Sequence, residues 1–166
     1  MLTILILCTG NSARSILGEF ILNHDGRGQV QAFSAGSHPT GRPNPFALAA
    51  LQQAGIDPAG AASKSWDVFA SADAPVLDLV ITVCDNAAGE TCPLFLGRGT
   101  QPAKVHWGYP DPAAVEGSDA DKAAAFASTL GALRQRIGKL LALQAHNPLQ
   151  NLPAKERAAL VQLIAA

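Results

Sequence analysis

A single α/β domain, built on a four-stranded parallel sheet flanked by helices and carrying a C-terminal helical extension, is the fold this sequence predicts. Three observations point to it. Short apolar runs have the look of strands buried on both faces, stretches with apolar residues at helical spacing alternate with them, and no repeat or low-complexity linker divides the chain. Strand, helix and parallel strand in succession imply right-handed crossovers and a doubly wound sheet. A length of 166 residues suits one hydrophobic core.

The elements follow in order. Leu2 to Leu7 is a nearly continuous apolar run and reads as the first strand. The polar turn Cys8-Thr9-Gly10-Asn11-Ser12-Ala13-Arg14-Ser15 follows, then a helix to about His24 with Ile16, Phe20 and Ile21 on one face. Val30 to Ser34 is the second strand. Asn44 before Pro45 reads as an N-cap and first-turn proline, and Gly55 closes that helix. Val76 to Cys84 and Lys104 to Trp107 supply the third and fourth strands. Ser118 caps a long helix whose first turn carries Asp119 and Asp121, and whose apolar face runs through Phe126, Leu130, Leu133, Ile137, Leu140 and Leu141. Pro148 and Pro153 interrupt the tail, and Pro153 opens a last short helix that ends at Ile164. The main domain is placed at 1–143 and the extension, helical and packed on it, at 144–166.

Composition excludes several classes of function. Hydrophobic residues make up 48% and charged residues 15%, which argues against disorder. No apolar run is long enough to span a bilayer, and the amino terminus lacks the basic start and small-residue cleavage site of a secretory signal. A net charge of −1 gives no general attraction to nucleic acid or to anionic lipid. Three cysteines cannot form an even disulfide framework, so a reducing, cytoplasmic setting is expected. The four histidines show no metal-ligand spacing, so neither a metal nor a bound cofactor is expected.

An anion must therefore be held by a local device, and the turn after the first strand has the right parts. In a doubly wound sheet the ligand site lies beyond the carboxyl ends of the strands. Between strand and helix, backbone N–H groups and the helix start form a cradle for a phosphate-like anion, lined by Thr9, Gly10, Asn11, Ser12, Ala13 and Arg14. Gly10 permits tight geometry, Asn11 holds the turn through its side chain, and Arg14 can fork two hydrogen bonds to two anion oxygens. Cys8 sits at the floor, in a positive field that favours thiolate over thiol, and Ser15 is placed to hydrogen-bond it. The bland alternative is a buried cysteine in an ordinary strand–helix turn.

These residues resemble the catalytic loop of the low-molecular-weight protein tyrosine phosphatase superfamily, and the Thr9-Gly10-Asn11-Ser12 version is especially similar to its arsenate reductase branch. The likeness continues through Ser34-Ala35-Gly36-Ser37, Asn44-Pro45, Gly55-Ile56-Asp57, His106-Trp107-Gly108 and Asp111-Pro112-Ala113, up to about residue 143. The resemblance implies that Asp111, in the rigid loop Tyr109-Pro110-Asp111-Pro112, is the general acid that protonates a departing oxygen. On sequence alone that Asp is equally an ordinary turn residue before proline.

Cys84 and Cys92 separate a reductase from a phosphatase. Cys84 ends a strand at the same sheet edge as Cys8, with Asp85 to Thr91 between it and Cys92. A helix there would part the two Cα atoms by about 12 Å, whereas a disulfide needs them within about 7 Å. A bond between them requires the segment to bend or unravel, and Cys84 as a core residue with Cys92 a bystander stays open from spacing alone. The resemblance implies a relay. Cys8 attacks arsenate, Cys84 attacks Cys8 to release arsenite, Cys92 attacks Cys84, and thioredoxin or glutaredoxin reduces the resulting disulfide. Arsenate is then the substrate, with phosphate or sulfate as competing anions.

Some members of the superfamily bind potassium near the loop through an Asn, a Glu, a Ser and an Asp. Asn11, Glu19 and Ser34 match three of these positions and Lys64 stands at the fourth, so the Lys64 ammonium is expected to replace the ion and pair with Glu19. The alternative is a solvated surface charge. The rival to the reductase is a tyrosine phosphatase working through a Cys8 phosphoenzyme. Ala113-Ala114 stand where such phosphatases carry aromatic residues, which favours a small inorganic oxyanion.

Overall fold

In the computed structural model, which describes residues 1–84 and 101–164, the chain alternates strand and helix. Cys92 lies outside the described residues. The strands β1 (Leu2–Cys8), β2 (Val30–Gly36), β3 (Leu79–Thr82) and β4 (Ala103–His106) form a parallel sheet in the order β2-β1-β3-β4. The described α-helices are α1 (Arg14–Asp25), α2 (Pro45–Gln53), α3 (Asp119–His146) and α4 (Ala154–Leu163). The register sets Cys8 beside Gly36 and Leu7 beside Thr82, so the carboxyl ends of the central strands share one edge.

Alternation along β1 divides the core. Leu2, Ile4, Ile6 and Cys8 face a large cluster with Ile16, Leu17 and Ile21 of α1 and Phe126, Leu133, Ile137 and Leu140 of α3. Leu5 and Leu7 face the opposite side, against Ala35, Phe69, Leu77 and Val80. Each such buried aliphatic side chain contributes roughly 1.5–3 kcal/mol relative to an exposed one. Trp107 is 1% exposed, whereas Trp66 is half-buried beside the second cluster.

The expected caps are present. Asn44 accepts from the Phe46 amide with Pro45 at the first turn, and Ser118 and Asp121 cap each other reciprocally. Those Ser118 bonds hold the Asp121 carboxyl below the usual range. Gly55, with φ of 79°, takes the left-handed turn that follows α2.

Some boundaries move. β2 runs on to Gly36, because Ser34, Ala35 and Gly36 continue the ladder with β1. β3 begins at Leu79 rather than Val76. Val76 is exposed, and Asp78 instead exchanges bonds with Thr3, its carboxylate accepting from the Thr3 amide (2.8 Å) and its own amide donating to the Thr3 carbonyl (2.9 Å). β3 ends at Thr82, leaving Cys84 two residues beyond the ladder. β4 lies one residue earlier than expected at both ends.

The tail is part of the same body. Leu149 and Val161 are fully buried in the large cluster. Arg157 is 7% exposed and donates to four main-chain carbonyls, those of Asp78, Leu149, Gln150 and Leu152. Gln162 bonds both the amide and the carbonyl of His106, 3.2 Å each way. No described helix is long and apolar enough to cross a membrane.

A bidentate pair ties α1 to α3. Arg134 Nε and Nη2 donate to the two Asp25 oxygens at 2.7 and 2.8 Å, and the same guanidinium holds the Asp25 carboxyl below its ordinary range. A carboxyl depressed in the fold gives stability that is present at neutral pH and lost as pH falls through its folded pKa. Arg134→Met should therefore cost about 1 kcal/mol at pH 7, given the partial exposure of the pair, and far less in acid. Urea unfolding of both proteins from pH 7 down to pH 3 checks this, and a cost independent of pH would contradict it.

Candidate active site

The turn from β1 into α1 owes its shape to Asn11. It is the one described non-glycine residue with positive φ, 45°, a conformation that short polar side chains tolerate best. Its side chain is fully buried and used at both ends. Nδ2 donates to Ser15 Oγ (2.8 Å) and Oδ1 accepts from the Lys64 amide (2.9 Å). Its own amide donates to Cys8 Sγ at 3.1 Å.

Cys8 Sγ also lies 2.9 Å from Ser15 Oγ. Since Ser15 Oγ already accepts from Asn11, its hydroxyl proton is free to point at the sulfur. A thiolate at Cys8 thus has two donors, one from the backbone and one from a hydroxyl. Both Cys8 and Ser15 are buried.

The loop carbonyls are satisfied from outside. Thr9 O accepts from the His38 amide, Gly10 O from the Thr40 amide and the Ser63 hydroxyl, and Ser12 O from the Asn44 amide. The amides of Gly10, Ser12 and Ala13 find no acceptor among the described residues. Those three residues line an open cleft of about 430 Å³ with Cys8, Thr9, Arg14, Thr40, Cys84, Asp111 and Ala113. Such a set of amides at a helix start suits an anion. Gly36 makes the close approach possible, because a Cβ there would collide with the Thr9 carbonyl oxygen.

Arg14 opens α1 and reaches across the cleft. Its Nη1 donates to the Tyr109 carbonyl at 2.7 Å, and Nη2 lies 3.8 Å from Asp111 Oδ2. Asp111 caps the short turn Pro112–Ala114 by accepting from the Ala113 amide (3.0 Å), which leaves its second oxygen toward Arg14. Cys84 is buried two residues beyond the end of β3, its Sγ 3.6 Å from Thr9 Oγ1.

Behind the loop, the Ser34 hydroxyl donates to the Glu19 carboxylate, and Lys64 Nζ lies 3.8 Å from Glu19 Oε2 and 3.4 Å from the Ala62 carbonyl. Burial pushes the Glu19 carboxyl above its ordinary range, while Ser34 and Lys64 pull it the other way. No three His, Cys, Asp or Glu side chains among the described residues are grouped to hold a metal.

The structure thus gathers Cys8, Thr9, Gly10, Ser12, Ala13, Arg14, Cys84 and Asp111 at one cleft. Asn11, Ser15, Glu19, Ser34 and Lys64 stand behind it. Sequence reasoning missed Thr40 on the rim, the Ser63 hydroxyl and the Tyr109 carbonyl under Arg14. A carbonyl belongs to every residue, so nothing in the sequence marks that one. Of the histidines, His24 pairs with Asp25, His38 with Ser37 and His106 with the Thr82 hydroxyl.

Known proteins resemble this chain over most of its length. It is 37% identical over 140 residues to an arsenate reductase of Bacillus licheniformis, covering 81% of this chain and 91% of that one. A solved arsenate reductase in the oxidized state superimposes with a TM-score of 0.66 at 25% identity, over 86% of this chain and 98% of that one. A thioredoxin-dependent arsenate reductase of Corynebacterium glutamicum superimposes with a TM-score of 0.59 at 25% identity, over 87% of this chain and 63% of that one. The family model for the low molecular weight phosphotyrosine protein phosphatases matches residues 3–155, and the chain belongs to that family.

Proposed function

We propose that this protein reduces arsenate to arsenite. The observation that carries the reading is a second buried thiol, Cys84, lining the same cleft as Cys8 and the Arg14 cradle. A phosphatase of this kind needs one thiol. A reductase must deliver two electrons, and a second thiol beside the first is the simplest source. The arsenate reductases among the similar proteins support the same choice.

The Cys8 thiolate attacks arsenic(V), and an oxygen leaves as water with a proton from Asp111 while Arg14 and the loop amides carry the remaining negative charge. The Cys84 thiolate then attacks Cys8 Sγ. The sulfur–arsenic bond breaks, its electron pair stays on arsenic, and arsenite departs with a Cys8–Cys84 disulfide left behind. Cys92 attacks Cys84, frees the Cys8 thiolate and forms a Cys84–Cys92 disulfide. An external dithiol protein of the thioredoxin or glutaredoxin kind reduces that bond by exchange, which requires a reducing compartment such as the cytoplasm. The thioredoxin-dependent neighbour favours thioredoxin.

The rival is hydrolysis of phosphomonoesters through Cys8 alone. None of the described residues lining the cleft is aromatic, and Ala113 and Thr40 form its rim, which suits a small inorganic anion better than an aryl ester. Phosphate fits the same cradle as a competitor, so slow phosphatase turnover is an expected side reaction.

Lys64, in this reading, does the work of a structural cation behind the loop, pairing with Glu19 where some members of the superfamily bind potassium. Because the fold favours the protonated form of Glu19, its carboxylate costs stability as pH rises through its folded pKa, and Lys64 offsets part of that cost. Lys64→Met should lose about 1 kcal/mol at pH 8 and progressively less toward pH 4. Urea titrations across that range test it, and a loss that does not grow with pH would separate Lys64 from Glu19. Potassium should leave the melting temperature of the wild type no higher than sodium does.

The reaction itself is tested by NADPH consumption with arsenate, thioredoxin and thioredoxin reductase. Turnover should vanish in Cys8→Ser, Cys84→Ser and Cys92→Ser alike. Aryl phosphate hydrolysis, in contrast, should be lost only in Cys8→Ser. Robust aryl phosphate turnover without any arsenate reduction would establish the phosphatase instead.

A further inference from the structure

The Arg14 guanidinium does not hang free in the cleft. It is held by the Tyr109 carbonyl at 2.7 Å, a stronger contact than its 3.8 Å approach to Asp111. What fixes that carbonyl therefore fixes the side chain that meets the anion. Tyr109 lies just past β4, and its amide donates to the Val83 carbonyl at 3.2 Å. Its hydroxyl is buried with no hydrogen-bond partner among the described residues, so none of them anchors the ring's tip by a polar contact. The ring is gripped by its face. The Arg136 guanidinium of α3 stands 4.8 Å from the Tyr109 centroid and 5.7 Å from that of Trp107. Among the described residues Arg136 makes no hydrogen bond or ion pair, and these two ring faces are the contacts its guanidinium makes there.

We propose that Arg136 is a positioning residue for the anion clamp: its guanidinium fixes the Tyr109 ring, and through it the main-chain carbonyl that orients Arg14. The inference rests on Arg14 being the anion-binding side chain. A cation over an aromatic face contributes modestly at a half-exposed site, enough to hold a ring whose hydroxyl is unpaired. Lysine can partly replace arginine in such a contact, whereas glutamine keeps the helix but not the charge.

Calorimetric binding of inorganic phosphate tests this without requiring turnover. Arg136→Gln should weaken phosphate binding about three- to tenfold, and Arg136→Lys should recover most of the loss. In an Arg14→Lys background, which has no fork to orient, adding Arg136→Gln should change phosphate binding little. Amide exchange at Tyr109 should quicken in Arg136→Gln. Unchanged phosphate binding in Arg136→Gln, or a loss that persists undiminished with Arg14→Lys, would overturn the proposal, the second outcome marking a long-range charge effect. A wild type that binds no phosphate would remove the clamp on which the inference stands. Phosphate binding without arsenate turnover would refute only the reductase and leave the role of Arg136 supported.

Discussion

The Asn11 side chain is the interaction on which the site depends. It joins the first turn of α1 at Ser15 to the segment at Lys64, while the Asn11 main-chain amide reaches the strand end at Cys8. Left-handed backbone costs a non-glycine residue roughly 1–2 kcal/mol, and hydrogen bonds worth about 1 kcal/mol each offset it. Glycine would remove the strain at that position but would leave Ser15 and the Lys64 amide without their partner. Asparagine is thus chosen for its amide, and the backbone geometry follows.

Around that residue the molecule solves an electrostatic problem locally. A chain of net charge −1 offers an anion no general attraction, so the attraction comes from amides, a helix start and Arg14. The same economy appears behind the loop, where a buried carboxylate is made tolerable by a hydroxyl and an ammonium. It appears again in the tail, where main-chain carbonyls solvate the Arg157 guanidinium.

Much of this was legible in the sequence because it is local. Cys8 to Ser15 is one uninterrupted stretch, and the amphipathic face of α3 repeats at helical spacing, so both could be read directly. The start of β3 could not. Val76 and Leu77 continue an apolar run, yet Asp78 turns to Thr3, a partner 75 residues away. The pairing of Lys64 with Glu19 was readable only through resemblance, since 45 residues part them. The hold of Tyr109 on Arg14 was not readable at all, because it passes through a carbonyl and a ring face that depend on how α3 settles against the end of β4.

The parallel ladder has one more consequence. Leu7 lies opposite Thr82, which puts Cys84 one step past the position facing Cys8. Neighbouring strands are about 4.8 Å apart and each residue advances about 3.3 Å, so such a diagonal spans roughly 6 Å. That separation falls within the range over which a disulfide bridges two Cα atoms. Carried two residues past the end of β3, that spacing would keep the backbone carriers of the two thiols within bonding reach, which is what the first exchange of the proposed relay needs.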